Sequence, residues 1–348
     1  MNPPSPAWRR RLPAILLALL ALMVLGHTLL WRNGAQRLER DFAATTAARR
    51  ALGWTITHAP PMRGGWPLSV RLTIPDLALD NGDADPRQRL AWRGERLILR
   101  LAFAWPRSLL VQAEGRQSLR IGEAAEIRFT ADSLRLESPL APPAAVVLRI
   151  ENLRAGLPMG GLTVAWLTLR GELHPAAAQG EPAVALSLDA QGITLPPTDA
   201  PWPLGPRIAR VMLDGAATGP WPRLGPLGGR AAQWRDRGGA LTLRRIGLVW
   251  GPLDLIGSAT LALDDEAQPM GAANLRSFGH DETLAALTAA GLLPAATAEV
   301  ARLGLLRRGG EDSPRPLAEA MMTLQRRELA VGRIRLGRIP ASPWPGPP

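Results

Sequence analysis

The chain has 348 residues, of which 46% are hydrophobic and 20% charged, which is the composition of a folded protein and excludes intrinsic disorder. Its net charge of +11 comes from arginine alone, and these arginines are spread along the chain, so we expect no nucleic-acid partner. The absence of cysteine and lysine excludes a thiol nucleophile, a disulfide, a zinc finger and a Schiff-base or P-loop lysine.

The N-terminal segment is typical of a membrane anchor. Residues 12–31 form an almost unbroken apolar run, which as a helix is long enough to cross a hydrocarbon core about 30 Å thick. A tryptophan stands near each end, and three consecutive arginines lie in the preceding tail, residues 1–11. Because arginine-rich flanks stay in the cytoplasm, we predict a single-pass protein of the bacterial inner membrane. Its N-terminus is then cytoplasmic and its main domain periplasmic.

A cleaved signal peptide is the alternative interpretation of this segment. A signal peptide has a shorter apolar region that is followed closely by small residues. Here Trp31-Arg32-Asn33 follows the apolar run, and the first cluster of small residues is at 43–48. We therefore predict that the anchor is retained and continues as a juxtamembrane helix over residues 32–53, in which Leu38 and Phe42 are one turn apart.

Beyond residue 53 the dominant pattern is alternation. In residues 68–74 (LSVRLTI) apolar and polar side chains alternate, which is typical of a strand with one buried and one solvated face. This period of two predominates as far as Leu263 and returns in the last forty residues, and at Arg244-Arg245 it slips by one residue, as a β-bulge would cause. The pattern is found at Leu97/Leu99/Leu101/Phe103, Ile127/Phe129, Leu134/Leu136, Val146/Leu148/Ile150, Val184/Leu186/Leu188, Leu241/Leu243, Ile246/Leu248/Trp250, Leu253/Leu255, Leu261/Leu263 and Ile334/Leu336.

One segment with helical spacing interrupts the alternation. Residues 281–307 are predicted to form a small helical insertion, with Asp281 as N-cap and Pro294 starting a second helix. We predict a mainly β fold: an elongated, curved antiparallel sheet, groove-like or an open barrel, over residues 54–340, followed by a proline-rich tail at 341–348.

No catalytic, metal-binding or cofactor-binding constellation is recognisable in the sequence. Histidine and carboxylates adjoin at His280-Asp281-Glu282, but acids at the start of a helix stabilise its dipole, and a metal site needs more ligands at defined spacing. Asp264-Asp265-Glu266 lies between two alternating segments and is interpreted as a solvated turn. Carboxylates brought together by folding leave no linear signature, so an envelope hydrolase stays open as the less favoured alternative.

Three segments resemble a bacterial protein family, domain of unknown function 2125. They are HAPPMRGGWPLSVRLTIPDLAL (58–79), LRRIGLVWGPLDLIGSATLALDDEAQPMGAANLRSFGHDETLAALTAAGLLP (243–294) and RELAVGRIRLGRIP (327–340). The resemblance implies a membrane-anchored envelope protein without assigned catalytic residues. The second segment is also similar, more loosely, to AsmA-like envelope proteins, whose long antiparallel sheets curve into lipid-lined grooves.

The number of strands with one apolar face suggests a function. Such a face must be covered by a helix, a second sheet or a ligand, and the predicted helices are too few to cover a long sheet. We therefore expect an apolar groove that binds lipid or another apolar ligand in envelope biogenesis. The alternative is a non-catalytic scaffold that binds an envelope protein partner. The candidate groove residues are Leu68, Val70, Leu72, Leu253, Leu255 and Leu261.

Overall fold

The computed structural model describes residues 7–82, 89–102, 107–141, 145–174, 176–220, 227–304, 306–308, 317–332 and 334–341. Most of the predicted cytoplasmic tail (residues 1–6), Phe103 and the end of the proline-rich tail (residues 342–348) lie outside these ranges. Strands account for 53% of the chain, which confirms the mainly β prediction. The chain divides into two compact units, Met1–Glu126 and Ile127–Pro348, which are described separately below.

The first unit begins with one long helix. Helix α1 runs without interruption from Ala7 to Ala51, so the predicted anchor and the predicted juxtamembrane helix form a single rod. Over Pro13–Ala51 it is long and apolar enough to cross a membrane, and none of its most apolar window is buried within the protein. A core helix of a soluble protein would be buried, so the exposed apolar half of α1 is suited to a lipid environment.

Within the described residues of the first unit, five strands follow α1. Strands β3, β4 and β5 form an antiparallel meander. Strands β1 and β2 share the other edge of β3, with β1 along its C-terminal end and β2 along its N-terminal half. The bounds are β1 Thr55–Thr57, β2 Met62–Gly64, β3 Ser69–Asp80, β4 Leu90–Ala102 and β5 Ser108–Ile121.

The core of the first unit lies between α1 and this sheet. Inward-facing residues of α1 recur every three or four positions from Trp31 to Thr46, the spacing of one helix face. The small Gly34 and Ala35 allow a close approach, since a Cβ at Gly34 would lie 3.2 Å from Cγ2 of Val70. The buried hydrophobic residues of this core are Ala35, Leu38, Ile56, Val70, Leu72, Ile74, Leu77 and Leu99.

The strands of the second unit form an antiparallel sheet. Strands β8 to β14 pair consecutively, β14 then pairs with β16, and β17 and β18 follow. The outer edge of β8 carries β6 and β7, the far edge of β16 also carries β15, and the sheet is not closed as a barrel. The bounds are β6 Ile127–Thr130, β7 Ser133–Pro139, β8 Ala145–Leu157, β9 Gly160–Leu173, β10 Pro182–Thr194, β11 Arg207–Thr218, β12 Leu241–Trp250, β13 Leu253–Leu263, β14 Pro269–Phe278, β15 Leu306–Arg308, β16 Leu317–Gln325, β17 Glu328–Val331 and β18 Ile334–Arg338.

The register confirms the predicted bulge. On β11, Asp214 and Gly215 are opposite Arg245 and Leu243, so Arg244 is the extra residue of β12. The insertion restores the alternation, because Leu243 and Ile246 would otherwise point to opposite faces of the sheet.

Three short helices complete the second unit within the described residues: α2 (Leu227–Asp236), α3 (His280–Ala289) and α4 (Ala295–Gly304). Helix α4 starts directly after Pro294, as predicted, but the predicted insertion ends as β15 and not as helix. The N-cap of α3 is Gly279; Asp281 instead lies in the first turn, where its carboxylate meets Arg302 of α4 at 3.0 Å. Helix α2 was not predicted.

Candidate functional site

The predicted groove residues of the first unit do not line an open surface. Val70 and Leu72 are 4% and 1% exposed and lie beneath α1, which fills the space that the sequence assigned to a ligand. Leu68 precedes β3 in a turn and is 81% exposed, so it does not share their surroundings. Strand β3 therefore contributes to a core formed with α1.

The predicted residues of the second unit do lie on a common face. Leu253, Leu255 and Leu261 alternate along β13, are all half-buried, and point to the same side of the sheet. Their cross-strand partners on β12 are Trp250, Leu248 and Leu241, which are also apolar. The alternation in the sequence located this face correctly on β13, and the register shows how far it extends across the sheet.

Two parallel rows of side chains cross nine strands, from β7 to β16, and we call them together the apolar track. Directly opposed residues point to the same face, so each row can be followed from strand to strand. At about 4.8 Å per strand the track is about 40 Å long. The first row is Leu136, Leu148, Leu169, Leu188, Leu213, Ile246, Gly257, Leu275 and Ala320; the second is Leu134, Ile150, Leu167, Ala190, Val211, Leu248, Leu255, Ser277 and Ala318.

The apolar track is not covered like a protein core. Leu148, Leu188 and Leu213 at the centre of the first row are only half-buried, although neighbouring strands flank each of them. Among the described residues of the second unit, the buried hydrophobic side chains are mostly alanines, and the larger ones are Ile150, Val164 and Leu204. Large aliphatic residues that are partly exposed in a continuous row leave an apolar surface in contact with solvent.

The short helices lie at the ends of the strands. Trp234 of α2 donates a hydrogen bond from Nε1 to the carbonyl oxygen of Thr218, the last residue of β11, at 2.8 Å. Helix α3 begins directly after Phe278, the last residue of β14, which is at the opposite end of the sheet. The helices thus lie at the two ends of the sheet, and Leu188 and Leu213 in the middle of the first row remain partly exposed.

The opposite face of the same sheet is polar and carries cross-strand ion pairs. Arg210 binds Asp189 through two hydrogen bonds, the shorter being 2.7 Å, and this guanidinium holds the pKa of the Asp189 carboxyl below its ordinary value. Arg276 pairs with Glu319 at 3.0 Å. The sheet therefore has one solvated face and one apolar face, as the alternation predicted.

The histidines and acidic clusters form no obvious reactive centre. Within the described ranges, no group of three or more histidine and carboxylate residues is close enough to hold a metal ion. His280 is 4% exposed beside Asp281 at the start of α3. Asp264 accepts hydrogen bonds from the backbone N–H groups of Glu266 and Gln268, which makes 264–266 the turn that was predicted.

Helix α2 is one element of this region that the sequence did not reveal, and strands β9, β11 and β14 are others. Its sequence, LGGRAAQWRD, contains Gly228 and Gly229, which are poor helix formers, and it lacks a long apolar stripe. Trp234 is the one usable signal, because an isolated large aromatic among small and charged residues indicates an anchoring contact.

The comparisons with known proteins place the chain in a family. No curated protein and no solved structure matches it, so the looser resemblance to AsmA-like proteins stays a prediction. The profile of one family, described as an uncharacterized protein conserved in bacteria (DUF2125), matches residues 31–340. This range covers both units and confirms the family that three sequence segments had indicated; the chain belongs to the DUF2125 family.

Proposed function

We propose that this protein is an inner-membrane-anchored periplasmic protein that binds lipid acyl chains on the apolar track of its second unit. The observation that carries the proposal is the partial exposure of the large aliphatic side chains in the first row of the track, in a chain that also carries a candidate membrane helix. The lipid-binding role belongs to envelope biogenesis, where lipids are moved or held outside the bilayer.

Retention of the anchor is supported by the packing of α1. Its C-terminal half supplies Ala35 and Leu38 to the core of the first unit, with Ala35 1% exposed. The small residues at 43–48, where a signal peptidase could cut, lie inside the helix, and Thr46 among them is buried. Cleavage there would remove part of the core, so the packing favours a permanent anchor over a signal peptide.

The orientation follows from charge. The arginine triplet Arg9-Arg10-Arg11 precedes the apolar segment of α1, which favours a cytoplasmic N-terminus. The sheet follows the anchor and is then periplasmic.

Acyl chains fit the dimensions and chemistry of the track. One leaflet accounts for about half of a hydrocarbon core about 30 Å thick, so a track about 40 Å long can hold more than one acyl chain end to end. The track residues are aliphatic, small or, at Ser277, a hydroxyl, and no charged side chain interrupts either row. Apolar burial of this kind is non-directional and suits a flexible hydrocarbon ligand.

A pair of neighbouring substitutions tests this proposal. Leu255 lies in the track, whereas the adjacent Ile256 points to the polar face and is 52% exposed. Protein purified in mild detergent should contain lipid, detected by mass spectrometry after extraction. The Leu255→Arg variant should lose most of it, because a charged group would be buried against hydrocarbon, and Ile256→Arg should retain it. Both variants should keep the β-type circular dichroism spectrum.

Two outcomes would refute acyl-chain binding. Wild-type protein that carries no lipid, or equal lipid content in the two variants, would mean that the track has another occupant. The scaffold interpretation, with an envelope protein on the apolar face, would then replace it.

A further inference from the structure

The turn at residues 65–68 lies directly beside the membrane helix. Nε2 of His27 donates a hydrogen bond to the carbonyl oxygen of Pro67 at 2.8 Å, and Nε1 of Trp31 donates one to the carbonyl oxygen of Ser69 at 2.9 Å. His27 and Trp66 also meet edge to face, with their ring centroids 6.5 Å apart. The turn is therefore fixed to α1 at a defined height.

The turn lies at the level of the C-terminal end of the apolar segment of α1. His27 precedes Trp31 by four residues, which is about 6 Å along the helix axis. The turn thus descends past the last turn of the apolar segment, to the depth at which tryptophan side chains favour the membrane interface. Its own side chains suit this position, since Trp66 is 52% and Leu68 is 81% exposed.

Two arginines lie next to this turn on the face of the sheet that is opposite α1. Arg71 of β3 and Arg100 of β4 are direct cross-strand partners, and both are exposed. Like charges opposite each other destabilise a sheet unless an anion compensates them. Among the described residues neither guanidinium has a carboxylate within ion-pair distance, whereas the nearby Glu114 is already paired with Arg96 at 3.1 Å.

The same residues enclose a depression of about 330 Å³. Trp66 and Leu68 form its apolar border, and Arg71, Arg100 and Gln112 supply hydrogen-bond donors. The carboxylate of Glu114, which is paired with Arg96, also lines the depression. Arg71 lies about 7 Å along β3 from Ser69, at the strand rise of about 3.4 Å per residue. The apolar border thus lies at the depth of the bilayer surface, and the arginines lie a short distance above it, where lipid phosphate groups are found.

We propose that this depression binds the phosphate group of an anionic phospholipid from the leaflet that surrounds α1. The inference rests on the membrane-spanning role proposed for α1 but not on the apolar track. A phosphate between Arg71 and Arg100 accepts hydrogen bonds from both guanidinium groups and removes the repulsion between them. Trp66 and Leu68 then contact the glycerol and upper acyl region of the same lipid, so the first unit is held at the membrane surface in a fixed orientation.

The first experiment measures lipid selectivity. Full-length protein in detergent is titrated with phosphatidylglycerol or phosphatidylcholine, and bound lipid is counted by native mass spectrometry. Wild-type protein should prefer phosphatidylglycerol, and the Arg71→Gln/Arg100→Gln variant should lose this preference, with about a tenfold loss of affinity for each arginine removed. The control Arg93→Gln/Arg120→Gln makes the same change of charge at the other end of β4 and on the neighbouring strand β5, and it should bind as the wild type does.

Three results would overturn the proposal: equal binding of the two lipids by wild-type protein, an unchanged preference in Arg71→Gln/Arg100→Gln, or complete displacement of phosphatidylglycerol by excess inorganic phosphate. The last would identify a site for soluble phosphate. A track variant such as Leu255→Arg should leave the preference intact, so failure of acyl-chain binding on the track can be distinguished from failure of the headgroup site.

The second experiment measures how deeply the turn at residues 65–68 lies in the membrane. Because the chain has no cysteine, Leu68→Cys and Leu52→Cys each give a single site for a spin label. Both leucines are highly exposed, at 81% and 72%, but Leu52 follows the far end of α1, about 35 Å from the level of His27. In nanodiscs, the label at residue 68 should be accessible to oxygen and protected from a water-soluble nickel complex, and the label at residue 52 should show the reverse. Equal nickel accessibility at the two positions would contradict the position of the turn.

Discussion

A matched pair of leucine truncations tests whether the apolar track is open. Leu72 is 1% exposed between α1 and the sheet, and Leu255 is half-buried on the track. Leu72→Ala removes buried apolar surface and leaves a cavity under α1, so it should lower the free energy of unfolding by about 3 kcal/mol. Leu255→Ala shortens a side chain that is already partly exposed and leaves no closed cavity, so the free energy of unfolding should fall by only about 1 kcal/mol.

The assay is urea unfolding of lipid-free protein in mild detergent, followed by circular dichroism, with the slope of the transition checked for constancy. Ile256→Ala serves as the control on the polar face and should change the free energy of unfolding by less than about 0.5 kcal/mol. If Leu255→Ala costs as much as Leu72→Ala, the track is an ordinary covered core. The reasoning that led to acyl-chain binding would then be refuted.

Three further predictions address the orientation of the chain, the turn at residues 65–68 and acid stability. Alkaline phosphatase fused after residue 340 should be active and remain in carbonate-washed membranes; an inactive fusion would contradict the periplasmic orientation. Gly65→Ala should lower the free energy of unfolding, measured with urea, by about 1–3 kcal/mol, because Gly65 has φ +93° and a Cβ would lie 2.6 Å from the carbonyl oxygen of Ser69. The control Gly180→Ala also has a positive φ of +83° but open space around it, so its cost should be clearly smaller. Because Arg210 lowers the pKa of Asp189, this pair should stabilise the fold above the ordinary carboxyl pKa, and the stabilisation should be lost as the pH falls through the lowered pKa. In urea unfolding, the free energy of unfolding of Asp189→Asn should therefore decrease less steeply below about pH 4 than that of the wild type. An identical pH dependence of the two proteins would argue against the pair.

The sequence determined those features that depend on local patterns. The apolar run of α1 is recognisable because length and composition alone decide whether a helix suits a bilayer. Several strands of the second unit, among them β8, β10, β12 and β13, and the bulge at Arg244 could be predicted because side chains alternate with a period of two. For the same reason Leu253, Leu255 and Leu261 were assigned correctly to one face. No alternating segment was identified for β9, β11 or β14.

The tertiary structure decided what covers each apolar face. Val70 and Leu255 stand in similar alternating segments, yet α1 buries Val70 whereas Leu255 stays partly exposed. No local pattern distinguishes them, because the covering element is brought there by packing between residues distant in the chain, such as Ala35 against β3. The opposition of Arg71 and Arg100 and the contact of His27 with Pro67 likewise depend on strand register and on where α1 crosses the sheet, which only the folded chain defines.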